Sequence, residues 1–330
     1  MEYALTAIKA AGVEFAYSLR HSATLGPQVP ITKRLGDGSG NTVAPPRGWA
    51  WMPNKQAIRS TMVDPWPLEA IDLNGFGVIY SHSGCRVSDA RAWKRPGFAI
   101  GPAIANSAGE PNLKRQVIER VDFVQPYDET AKHDPATNPP LPINPMGCGI
   151  QEHGGAVGLE GLLVQDCRFR GMGDDAMKLK SAGFIVRRCA IAPGGKGAMK
   201  AHFDGIDVSN GGVGGLLQDI WFDIMPSWTD FGRTGVLSLW NTQDVRVERI
   251  AWLGARMRGN GYGEFTGAYA VPGGFCHYPI HCTGEKNANL QFSRIAGDFG
   301  GSMVYPPPKR YGIAKWEHAF DMTTGKPVTL

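Results

Sequence analysis

Asp174 and Asp175 lie in the run Gly-Asp-Asp-Ala-Met-Lys-Leu-Lys-Ser at residues 173–181. Asp204 and Asp207 lie in His-Phe-Asp-Gly-Ile-Asp-Val-Ser at residues 202–209. Laid on each other, the two runs set Asp175 over Asp204, Met177 over Ile206, Lys178 over Asp207 and Lys180 over Ser209. Crowded carboxylates repel, so at least one is expected to keep its proton near neutral pH beside ionised partners. Glycoside hydrolysis needs that division: one acid protonates the leaving oxygen, and another carboxylate activates water or attacks carbon. His202 is placed to tune the donor. The competing reading is turn chemistry, because Asp-Gly and Gly-Asp-Asp also accept backbone N–H bonds at strand starts. An ion pair between Lys178 and Asp207 belongs to that second reading.

The elements that must position these residues are repeated strands. Each acidic run leads into an apolar strand of one shape, residues 184–191 and 215–222. Copies of that strand recur, with Ala90, Val121, Cys167, Cys189, Ile220, Ile250 and Ile295 at the equivalent position and spacings of 31, 46, 22, 31, 30 and 45. Such self-similarity marks stacked architectures. Alternation inside each copy means strand, and the 44 glycines and 24 prolines punctuate turns. The expected fold is all-β: a single-stranded right-handed parallel β-helix with an N-terminal helical cap and long loop insertions. The Leu-x-x-Leu-x-Leu pattern of leucine-rich repeats is missing, and a Greek-key sandwich would not reproduce one strand shape in register. A second strand precedes each copy. Ile150, Met177, Ile206 and Val236 are expected to share its inward column, with Gln151, Lys178, Asp207 and Leu237 pointing out.

The division along the chain follows. Residues 1–75 form a cap and an irregular segment packed on the solenoid, 76–300 the solenoid, and 301–330 a C-terminal cap. Ala4, Leu5, Ile8, Ala11, Val13 and Phe15 read as a short amphipathic helix covering an open solenoid end, since exposed strand edges need covering. Met1–His21 lacks the basic start and apolar run of a secretory signal. No apolar run approaches the ~20 residues of a membrane span. The formal net charge of +4 comes from interspersed charges, so neither a nucleic-acid nor a membrane partner is expected. Cys167 and Cys189 read as stacked core thiols. Cys276, His277, His281 and Cys282 could be written as a zinc pattern, but a loop disulfide or free thiols fit better, and no metal is assigned. Long insertions at 127–145 and 256–281 carry Tyr262 and other aromatics able to stack on sugars or to pack the loops.

Gly-Asp-Asp followed by a small residue resembles the Asp-Asp motif of polygalacturonase-type glycoside hydrolases. Asp-Gly-Ile-Asp at 204–207 is similar to their other acidic motif, although the two motifs stand here in the opposite order. The resemblance implies the pectin-lyase-like right-handed β-helix superfamily, with Asp174, Asp175 and Asp204 as catalytic acids. Asp207 and His202 complete the candidate catalytic set. His153, Lys178, Lys180, Lys200, Arg188, Trp240 and Tyr262 are the candidate substrate-binding residues. The expected partner is a polysaccharide, with acidic ones suited by the slight positive balance, and the protein is expected to act outside the cell or on a virion, without a cofactor. Two alternatives stand beside hydrolysis. A polysaccharide lyase would use a Lys as base near a uronate, with Lys/Arg neutralising its carboxylate and calcium on the aspartates. A non-catalytic tailspike or adhesin shaft would bind glycan as a trimer, whereas the enzyme is expected to be a monomer.

Overall fold

Strands that alternate apolar and polar residues bury one face, and parallel neighbours need a crossover between them. The computed structural model meets both demands with two long sheets. It describes residues 9–13, 25–36, 42–93, 102–107, 110, 112–124, 133–134, 141–142, 148–153, 159–170, 175–192, 203–210, 212–223, 234–253, 280–282, 284–297, 304–305, 312–322 and 324–330. The chain visits a front sheet and a back sheet in turn. Met177–Leu179 is in front, Ile185–Ala192 behind, Phe203–Ser209 in front, Leu216–Asp223 behind, Thr234–Trp240 in front and Arg246–Leu253 behind. Pairing within the stack of repeats is parallel throughout. Antiparallel partners occur towards the ends of the two sheets, where Trp49–Trp51 pairs with Ala57–Ser60 and Ile313–Asp321 with Lys326–Pro327, and in a separate two-stranded pair, His133–Asp134 with Leu141–Pro142. The molecule is thus nearly all β, with long parallel sheets compatible with a β-helix.

The core lies between the sheets, in columns that run through the stack. The front column is Val78, Ile104, Ile150, Met177, Ile206, Leu237 and Ile280, all buried. Leu237, not Val236, continues it, because Ile206 pairs with Leu237 and Asp207 with Ser238. The outward column is therefore Gln151, Lys178, Asp207, Ser238 and His281. Behind, Ala92, Phe123, Phe169, Ile191, Phe222 and Trp252 form another buried column. Phe123 and Phe169 stack within it with ring centroids 4.5 Å apart. Each such side chain contributes about 1.5–3 kcal/mol on burial. Cys167 and Cys189 are buried as the repeat implies, and burial beside Cys189 pushes the Cys167 thiol up.

Each long back strand turns a corner at its centre. Asp89, Arg120, Asp166, Arg188, Asp219, Arg249, Arg294 and His318 all have positive φ, between 49° and 57°. A left-handed residue with a Cβ costs roughly 1–2 kcal/mol. Here the corner residues bind each other across repeats. Arg120 holds Asp89, Arg188 holds Asp166 and Arg249 holds Asp219, with closest contacts of 2.8, 2.7 and 2.6 Å.

The N-terminal segment runs along the flank of the back sheet. Ala11 and Val13 pack on Trp221, Ala251 and Ala296 of its outer face. Gly26 donates to the Asp166 carbonyl at 2.8 Å, and the Gln28 N–H donates to Asp89 at 2.8 Å. The segment expected to cap an open end is a strap over a sheet face instead, because Trp221 and its neighbours make that face apolar. The other residues of the expected helix, at positions 4, 5, 8 and 15, lie outside the described residues.

Candidate functional site

The front sheet gathers most of the described residues that the sequence singles out. Strand alternation turns Gln151, Lys178, Asp207, Ser238 and His281 outward, and parallel register sets them about 4.8 Å apart from strand to strand. A second row follows one pleat on. Ser209 pairs with Trp240. Lys180 follows Leu179, the partner of Val208, and so comes beside Ser209. His153 feels Lys180 and Lys178 electrostatically. Trp240 is an exposed aromatic, 45% accessible.

Two carboxylates flank Lys178. Asp175 is buried, and its Oδ2 lies 3.4 Å from Lys178 Nζ. Asp207 stands directly beside Lys178 on the neighbouring strand. Burial pushes the Asp207 carboxyl above the usual carboxylate range, against the hydrogen bonds from Ser209 and Ser238 and the charges of Lys178 and Lys180. The Ser209 hydroxyl donates to Asp207 Oδ2 at 3.1 Å. Asp207 thus holds its proton more strongly than an exposed carboxyl does, and Asp175 is the ion-paired carboxylate next to it. Burial, then Lys180 and Lys178, lower the His153 pKa and keep its imidazole neutral. Its backbone is clamped by Asn106, whose side-chain amide donates to the His153 carbonyl at 3.1 Å.

Arg188 does not join this group. It sits at a back-sheet corner, with Nε 2.7 Å from Asp166 Oδ1. Arg187 is on the same strand and donates to Gln165. The two runs resemble each other in sequence, but the arginines follow the corner, so the fold turns them away from the front face. Asp204 pairs with Gly235 in the backbone register. Asp174, His202, Lys200 and Tyr262 lie outside the described residues. The zinc pattern does not converge on one pole among its described members, since His281 continues the outward column while Cys282 is buried beside Leu239.

Sequence reasoning missed Ser238 and Glu152, and it read His281 in a zinc pattern and not in the outward column. Ser238 and His281 follow from the register once Leu237 takes its place in the core. Glu152 is buried one residue after Gln151. Its Oε2 accepts from the Lys180 and Ser181 N–H groups at 2.6 and 2.8 Å, and its Oε1 takes the Ser181 hydroxyl. It therefore ties one repeat to the turn that presents Lys180. Burial raises its carboxyl above the ordinary value. A raised carboxyl contributes stability in full below its unfolded value of about 4.3, and that contribution is lost as pH rises through the folded value. Glu152→Gln keeps two acceptor bonds and removes this pH slope. Glu152→Ala takes the acceptor from the part-buried Lys180 N–H and from the buried Ser181 N–H and hydroxyl, and is expected to cost about 3 kcal/mol. Urea unfolding at several pH values checks both. A wild-type slope retained in the Gln variant refutes the assignment.

Comparison with family models, with curated proteins and with solved structures gave no match.

Proposed function

We propose that this protein is a right-handed parallel β-helix that hydrolyses polysaccharide on the outer face of its front sheet. The carrying observation is the pair of carboxylates on adjacent strands, Asp175 against Lys178 and Asp207 with its raised carboxyl. The protonated Asp207 acts as general acid on the leaving oxygen, and Asp175 directs water or attacks carbon. The Asp-Asp and Asp-Gly-Ile-Asp motifs support the same chemistry through their likeness to polygalacturonase-type enzymes. The strap covers the flank of the back sheet, which supports the front face as the one that meets the polymer. Trp240 offers a stacking platform along the glycan path. Trp240→Ala is expected to raise KM roughly 3–10-fold with little change in kcat, read by steady-state kinetics. A kcat loss without a KM change argues against a platform.

Elimination is the second reading, and His153 favours it. A neutral imidazole beside two ammonium groups has the makings of a base next to a neutralised uronate. One experiment separates the two. A panel of neutral and acidic polysaccharides is incubated with the protein while reducing ends and ultraviolet absorbance are followed together. Reducing ends alone mean hydrolysis. Both signals rising mean elimination and transfer the base to His153 or a lysine. Silence across the panel supports a glycan-binding shaft, and a trimer in solution would add to that.

A further inference from the structure

A second polar cleft lies on the opposite flank. Between residues 27–34 of the strap and the outer face of the back sheet is a cavity of about 740 Å³, with Lys33, Arg34, Arg91, Arg168, Asp72 and Asp122 among its walls. Arg91, Asp122 and Arg168 are successive members of one outward column, and Asp72 pairs with Arg34 and Arg91 in the register.

Four cations face two carboxylates, and both carboxylates already have partners. Asp122 lies 3.4 Å from Arg168 and 3.2 Å from Arg170. Asp72 accepts from the Trp93 indole at 3.0 Å and from the Asn74 N–H at 2.7 Å. Among the described residues, no ion pair engages Lys33, Arg34 or Arg91. The Arg168 Nε is buried and has no acceptor. Gly26 lies so close over that guanidinium that a Cβ would meet it at 2.8 Å, so the strap closes one side of the cleft and leaves the donor unmet. Surplus positive charge and planar guanidinium forks fit a planar or tetrahedral oxyanion. The volume falls in the range of small-ligand pockets.

We propose that this cleft is an oxyanion-binding site for a carboxylate or sulfate, either free or carried on a sugar ring. It is separate from the front sheet, and its test requires no cleavage. The full-length protein is titrated calorimetrically with inorganic sulfate, with glucuronic acid and with glucose. Saturable binding is expected for the anions and not for glucose. Tighter binding of glucuronate means a sugar-borne anion, and equal binding means a free one. The Arg34→Gln, Arg91→Gln double variant is expected to weaken binding at least about tenfold. Both side chains are exposed, so its melting temperature should hold. Lys33→Gln, also at an exposed position, probes the same wall should that double variant not fold. The proposal is overturned if neither anion binds saturably, if the cleft variants bind as wild type, or if Lys180→Gln on the front face abolishes the binding instead.

Discussion

Asp207→Asn is expected to lower kcat/KM on the cleaved polysaccharide by about 10²–10⁴-fold, with no loss of folding stability at neutral pH. Asparagine keeps the shape and can still accept from Ser209 and Ser238, the hydroxyls that now serve Asp207. It cannot give up a proton. The stability expectation follows from the raised carboxyl. Its contribution is complete below the unfolded value of about 3.9 and is lost as pH rises through the folded value, and asparagine, which does not titrate, removes that loss. The same shift gives the wild-type rate a falling limb as pH rises, since the acid must be protonated to act. Asp175→Asn should also cut the rate, but with lower stability, because it leaves Lys178 without the carboxylate 3.4 Å away. A pH–rate profile with parallel thermal unfolding checks both variants. Near-wild-type turnover in both would remove catalysis from this face.

What the sequence discloses of this site depends on how strictly residue type follows geometry. Met177 over Ile206 and Lys178 over Asp207 are readable because each strand alternates cleanly, and the register bears them out. Alternation fails at Val236-Leu237, where two apolar residues adjoin and both are buried. Only the pairing of Asp204 with Gly235 fixes which one continues the column. Gly205 shows how tight that strand is, since a Cβ there would come within 2.5 Å of the Phe222 ring. The corner was hidden for another reason. A period of two carries no information on the sign of φ, so seven back strands read as straight. Yet the residue before each of Ala90, Val121, Cys167, Cys189, Ile220, Ile250 and Ile295 is Asp or Arg, a charged column in the middle of strands that solvent alone does not explain. Reading that column would have assigned Arg188 to the corner and not to substrate.

That column makes the second large prediction. Arg249→Met is expected to destabilise the protein by about 3–5 kcal/mol in urea unfolding. Arg249 grips Asp219 through Nε at 2.6 Å and through a second guanidinium nitrogen at 3.0 Å, and it reaches Glu248 at 3.0 Å. Asp219 is buried, so methionine would leave a desolvated carboxylate without the cation that hydrogen-bonds it. The corner itself does not need charge. Asn tolerates the left-handed conformation better than most residues. The Asp219→Asn, Arg249→Asn double variant should therefore recover most of the loss, and a double-mutant cycle should return a large coupling. A loss below about 1 kcal/mol in Arg249→Met would put the pair on the level of exposed ones and leave the corner's strain without its compensation. The effect on catalysis should be small well below the melting temperature. Asp207 and Asp219 belong to successive strands of one repeat, but the buried columns hold the front register independently of the corner. Arg249→Met is thus expected to lose stability and keep turnover, whereas Asp207→Asn is expected to lose turnover and keep stability.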